Sequence, residues 1–144
     1  MKRLLPLACA LLACTAAQAA PAPLQHYPGA PGAPFSAAVR AGDLLFVSGQ
    51  IGDADGVLPD DFSTQAGNAL DNLARALDAA GASMDDVAKC TVMLTDMRQW
   101  PAFNALYAGR FKPGHLPARS AIGANALALG AKVEIECIAY QPKV

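Results

Sequence analysis

Residues 63–80 constrain the fold most. Ala66, Leu70, Leu73, Ala74 and Leu77 recur there at helical spacing, while Asp71, Arg75 and Asp78 fall elsewhere on the surface. Gly81 follows as a stop signal. A helix with one apolar stripe must lay that stripe on something, and the flanking runs have the composition of strands. Residues 39–41 and 44–48 read as two strands turned by Gly42-Asp43, with Gly49 and Gly52 closing the second and a polar loop over 53–61. Residues 87–94 are β-branched and apolar, and 120–124 and 131–140 complete the strands. In the last of these Val133, Ile135 and Cys137 share one face and Glu134 and Glu136 the other. A second, shorter helix begins near Pro101, a residue suited to a first turn, and turns Phe103, Leu106, Tyr107 and Phe111 toward the core.

The order is then strand, strand, helix, strand, helix, strand, strand. Antiparallel strands with two helices predict a single α+β domain: a mixed, largely antiparallel sheet covered by two helices on one face. The uncovered face needs a partner, and a homo-oligomer is the economical way to supply one.

The first 34 residues have a different character. Lys2 and Arg3, an apolar run over 4–12 and Ala17-Gln18-Ala19 predict a secretory signal peptide over residues 1–19, too short in its apolar part to span a bilayer permanently. A Pro-, Ala- and Gly-rich linker over 20–34 is expected to follow, with the ordered domain at 35–144. The expected location is periplasmic or secreted. Leu11-Leu12-Ala13-Cys14 also resembles a lipobox, and a lipid on Cys14 is the lesser alternative. Cleavage would remove Cys9 and Cys14 and leave Cys90 and Cys137. Spacing leaves two readings open for that pair, a disulfide in an oxidising compartment or two buried thiols acting as small apolar groups.

Composition narrows the function. Without residues 1–19 the chain carries nine basic and twelve acidic residues, the basic ones scattered singly, which argues against a nucleic-acid partner. His26 and His115 are far apart in sequence, and no compact ligand cluster accompanies them, so no metal is expected. There is no glycine-rich phosphate loop and no nucleophile elbow.

Two residues stand out instead. Arg119 lies in Leu116-Pro117-Ala118-Arg119-Ser120, where proline stiffens the entry to a strand and a planar guanidinium can grip a carboxylate with two hydrogen bonds. The alternative is a solvated surface arginine. Glu134 and Glu136 are the only two glutamates against ten aspartates, and both sit in a strongly apolar strand. A carboxylate there is costly unless paired or functional, or unless the strand is an exposed edge protected by its acids.

Leu45-Phe46-Val47-Ser48-Gly49-Gln50-Ile51, Asp71-Asn72-Leu73, Ala79-Ala80-Gly81, Leu94-Thr95-Asp96, Pro117-Ala118-Arg119-Ser120 and Val133-Glu134-Ile135-Glu136 follow one another in an order that resembles the Rid/YjgF family of reactive-intermediate deaminases. The resemblance covers about residues 35–140. It implies a chorismate-mutase-like fold, a homotrimer with clefts between subunits and hydrolysis of small 2-imino acids or their 2-enamine tautomers to 2-oxo acids plus ammonia, without a cofactor. It further implies that Arg119 holds the substrate carboxylate, that Glu134 positions or activates water, and that Ser48, Asn104 and Phe35 line the cleft. The chain departs from the pattern at three places. Phe35 stands where many deaminating members carry tyrosine, Ala121 where cysteine is common, and residues 123–129 lack the usual acidic, basic and proline residues. These departures leave a rival expectation, a non-catalytic trimer of the same fold that binds a carboxylate ligand or acts as a chaperone.

Overall fold

Helix α1 occupies Phe62–Ala79, and its ends show why the chain becomes helical there. Asp61 caps the start by accepting from the Thr64 amide at 2.8 Å. At the other end Gly81 adopts φ +73°, its amide reaching Asp78 O at 2.8 Å and that of Ala82 reaching Leu77 O at 2.9 Å. These paired bonds satisfy carbonyls that the helix would otherwise leave open. The buried face of α1 carries Phe62, Ala66, Ala69, Leu70, Leu73 and Leu77.

The computed structural model describes residues 22–142. They form a six-stranded sheet of β1 (Gln25–Pro28), β2 (Ser36–Ala41), β3 (Leu44–Ile51), β4 (Val87–Leu94), β5 (Ala118–Gly123) and β6 (Val133–Tyr140). The spatial order is β1-β2-β3-β6-β4-β5, antiparallel throughout except for the parallel pair β4/β5. Helix α1 and helix α2 (Trp100–Ala108) pack against the core that includes Leu45, Val47, Val92, Ile135 and Phe103. The α+β reading and the alternation of β6 both hold, with Val133, Ile135 and Cys137 buried and Glu134 and Glu136 turned outward. On the outer face Leu44, Phe46, Ile122 and Tyr140 are exposed. Among the described residues no helix is long and apolar enough to cross a membrane.

Two boundaries differ from expectation. The domain does not begin at Phe35: Gln25–Pro28, placed in the linker by its prolines, forms an edge strand antiparallel to β2. Pro28 is tolerated because it falls at the strand end, where the register shifts. Tyr27 supplies the anchor, donating to Ala80 O at 3.3 Å and accepting from Arg40 Nε at 3.4 Å. The buried Arg40 then ties the same carbonyl, at 3.0 Å, to Gln141 Oε1, at 2.9 Å. The second difference is that, of the two glycines expected to close β3, Gly52 follows its end and Gly49 does not. The strand runs to Ile51 through a register shift between Val47 and Gln50. Such a bulge bends a strand and re-aims its side chains.

Cys90 and Cys137 are directly paired across β4 and β6, with Cα atoms 4.1 Å apart, and form a disulfide. Of the two readings left open, the structure has the bridge. Both residues face the helices and are buried. The signal peptide and Cys14 lie outside the described residues.

Candidate functional site

Strand pairing decides where the two marked side chains go. Arg119 pairs with Cys90 in the parallel β4/β5 ladder, and paired residues share a face, so Arg119 points to the helix-covered side. There it meets α2. Its Nη2 donates to Asn104 Oδ1 at 2.7 Å, and its guanidinium carbon lies 4.4 Å from the Trp100 ring centroid and 4.5 Å from that of Tyr107. Trp100, Asn104 and Tyr107 are spaced four and three residues apart, which lines them up on one helix face. The two rings contribute cation–π attraction and fix the plane of the guanidinium. No carboxylate among the described residues forms an ion pair with Arg119. The arginine is therefore oriented by neutral groups, and its charge remains available to an anion. A pocket of about 250 Å³ opens beside it, lined also by Ala108, Leu116 and Pro117.

Tyr107 belongs to the core, as its sequence position indicates, but its ring also floors this site. Burial pushes its phenol above the ordinary value of 10.0, with the Arg119 charge opposing, so the hydroxyl is un-ionised at neutral pH. Its oxygen is buried without a hydrogen-bond partner among the described residues.

Glu134 occupies the opposite side. It follows the inward Val133 in β6 and so points to the open face, level with Met93 and Ile51 of the neighbouring strands. Its carboxylate lies against Gly49: a Cβ built on that glycine would come within 1.9 Å of Glu134 Oε1. Glycine is thus required at the bulge for the acid to sit where it does. Ser48, the preceding residue, donates its hydroxyl to Ser36 O at 2.7 Å, which fixes the bulge to the start of β2. Phe35, Ile51, Ala128 and Leu129 complete a pocket of about 420 Å³ around Ser48, Gly49 and Glu134.

The five expected site residues therefore fall into two groups, Arg119 with Asn104 and Glu134 with Ser48 and Phe35. Within one chain they do not meet. Arg119 is level with Cys137 across β4, three residues along β6 from Glu134 and two strands away. That is about 10 Å along the sheet and about 10 Å across it, with the side chains on opposite faces. Sequence reading missed the ring clamp and the role of Gly49. The clamp was signalled by an aromatic at each end of the Trp100-Asn104-Tyr107 spacing, whereas the Gly49 contact depends on a register shift that no local pattern shows.

The chain is similar to known proteins over nearly the whole of the described domain. The family model described as endoribonuclease L-PSP matches residues 25–141. The chain is 40% identical over 111 residues to a mouse protein named 2-iminobutanoate/2-iminopropanoate deaminase, covering 75% of this chain and 82% of that one. It is 38% identical over 114 residues to the mitochondrial protein mmf2 of Schizosaccharomyces pombe, covering 76% of this chain and 90% of the other. Among solved structures, yeast Mmf1 superposes with a TM-score of 0.75 at 32% identity, covering 83% of this chain and 99% of that one. E. coli TdcF with bound serine gives 0.72 at 35% identity, with 81% and 94% covered. The match extends over β1, the strand that the sequence hid among prolines, through the end of β6. This chain belongs to the Rid/YjgF family.

Proposed function

We propose that the protein is an exported homotrimeric deaminase that hydrolyses 2-imino acids, or their 2-enamine tautomers, to 2-oxo acids and ammonia. The observation that carries this is an arginine held by Asn104 and two aromatic rings with no carboxylate of its own, on the face opposite Glu134. A neighbouring copy whose β5 edge, the strand that carries Arg119, abuts the open face would bring one chain's Arg119 to another chain's Glu134. The exposed Phe46, Ile122 and Tyr140 on that face favour such a contact. The deaminase name of the mouse relative supports the reaction, and the serine bound to TdcF supports a ligand with a small carboxylate.

In this reading Arg119 takes the substrate carboxylate bidentately and fixes the angle of the imine carbon. Water adds to that carbon while Glu134 accepts its proton. The nitrogen of the resulting carbinolamine takes up a proton, the C–N bond breaks and ammonia leaves. The hydroxyl oxygen loses its remaining proton as the C=O bond forms. The balance holds when the imine enters protonated from solvent: Glu134 returns the proton it took from water to the leaving nitrogen, the last hydroxyl proton goes to solvent, and imino acid plus water gives 2-oxo acid plus ammonia.

The apolar start of the chain together with the Cys90–Cys137 bridge supports export to an oxidising compartment. N-terminal sequencing of a periplasmic fraction should find a start near Ala20, and an intact Met1 would reject it. A rival reading, a carboxylate-binding trimer without catalysis, draws on Phe35, an aromatic wall lacking a hydroxyl.

The discriminating experiment supplies the mature domain with imino acids generated in situ by an amino-acid oxidase and follows ammonia release. Arg119→Ala and Glu134→Gln should each be far slower than wild type. Refolding the two variants together should recover part of the rate, because mixed trimers contain clefts with both native residues. No recovery, with a trimer mass by light scattering, would reject the shared site. No wild-type acceleration would favour the binding reading.

A further inference from the structure

The pocket beside Glu134 is asymmetric. Its polar groups, the Glu134 carboxylate and the Ser48 hydroxyl, gather near the Gly49 bulge, while the wall beyond is formed by Phe35, Ile51 and Leu129. Among its lining residues no cation and no second carboxylate are present. Leu129 is the unusual member. It is 83% exposed and holds φ 55° and ψ 18°, the left-handed region that any residue with a Cβ resists. Phe35, which lines the same pocket, is 59% exposed. Two large exposed apolar side chains thus share a pocket with a carboxylate, one of them in a disfavoured backbone conformation that glycine would adopt freely. Strain and exposure of this kind concentrate where a ligand is met.

We infer that this wall makes the site selective for substrates with a large apolar side chain, branched aliphatic or aromatic, with Leu129 as the residue that sets the preference. The inference rests on the proposed deaminase reading for the reaction but not for the binding preference. A substrate fixed by its carboxylate and with its imine carbon near Glu134 would direct its side chain over Leu129 and Phe35. Covering those groups removes apolar surface from water on both partners, and each added methylene then favours binding. An anionic side chain would find no cation among the pocket's lining residues and would lose its hydration.

The test uses the mature protein and a stable product series: pyruvate, 4-methyl-2-oxopentanoate and phenylpyruvate, titrated by calorimetry. The same three side chains are supplied as imino acids from alanine, leucine and phenylalanine in the ammonia assay. Wild type should bind the two larger oxo acids at least roughly tenfold more tightly than pyruvate, and kcat/KM should follow the same order. Leu129→Gly, which fits the left-handed backbone, should reduce that preference several-fold while leaving the thermal midpoint and subunit mass undiminished. Equal binding across the series, a preference for pyruvate, or binding of none of the three would overturn the inference. So would a Leu129→Gly variant with unchanged preference, or one that loses stability and dissociates, since Leu129 would then be a structural contact. If calorimetry ranks the oxo acids as expected but no imino acid is hydrolysed faster than in buffer, selectivity stands and the deaminase reading fails.

Discussion

The two faces of the sheet are built to different degrees of completion. On the covered face every element that Arg119 needs comes from the same chain: Asn104 accepts its hydrogen bond, Trp100 and Tyr107 hold its plane, and the Cys90–Cys137 bridge stiffens the strands beneath it. On the open face Glu134 rests on Gly49, but the surrounding Phe35 and Leu129 remain in solvent, and Phe46 is 44% exposed near the middle of the sheet. In the proposed trimer the anion receptor would be complete in one copy, and the acid that works on the bound molecule would meet it across a subunit contact. On that reading specificity and assembly are separated from charge recognition, and each is open to alteration with limited effect on the other.

The strongest way to break the covered face is to remove its covalent tie. The Cys90–Cys137 bridge closes a sequence separation of 47 residues, for which chain-entropy reasoning gives about 4 kcal/mol. Cys90→Ala with Cys137→Ala should lower unfolding stability by roughly 2–5 kcal/mol in urea titration, and two free thiols in oxidised, denatured wild type would contradict the bridge itself. A smaller effect is expected from Arg119→Lys, which keeps the charge but loses the planar two-pronged grip. Imine hydrolysis should fall about ten- to a hundredfold, equivalent to the roughly 1.5–3 kcal/mol of a charge-assisted hydrogen bond. Wild-type rates in a folded trimer of this variant would move the site elsewhere.

Asn104→Ala tests how much the preorganisation of the receptor matters. The rings still hold the guanidinium, so the loss should be about three- to tenfold, in keeping with about 1 kcal/mol for a single hydrogen bond, and should appear mainly in KM. A drop larger than that of Arg119→Lys would give Asn104 a direct role. The smallest effect concerns Tyr107. Its folded-state phenol titrates above the unfolded value, so the unfolded chain loses that proton first, and stability should decline as pH rises past about 10. Tyr107→Phe should flatten this alkaline decline, as followed by thermal midpoints between pH 8 and pH 11, and an unchanged slope would assign it to other groups.

Much of the fold was legible because local and tertiary signals agree. The α1 stripe, its Gly81 stop, the Gly42 turn and the alternation of β6 each specify a conformation that the packing then uses. Strand β1 was not legible, since its prolines mimic a linker and its stability comes from Tyr27 and Arg40 reaching the end of α1, contacts distant in sequence. The family pattern pointed to Arg119, Asn104, Ser48 and Glu134, but their division between opposite faces follows from ladder register and from the bulge at Ser48-Gly49. Periodicity says which residues share a strand face. It does not say which strands become neighbours.

The junction of Arg40 with Ala80 and Gln141 has a consequence for tethering. It gathers the start of β1 and the end of β6 at one edge of the molecule, where Gln25 pairs with Arg40 and Gln141 bonds to Asp43 O at 2.8 Å. Glu134 and Ile51 lie at the other end of the same strands, about 20 Å away at some 3.3 Å per residue. Both ends of the described chain therefore leave the domain on the side remote from the Leu129 wall. A lipid, a surface linkage or a fused partner attached at either end would join the domain on the side remote from that pocket.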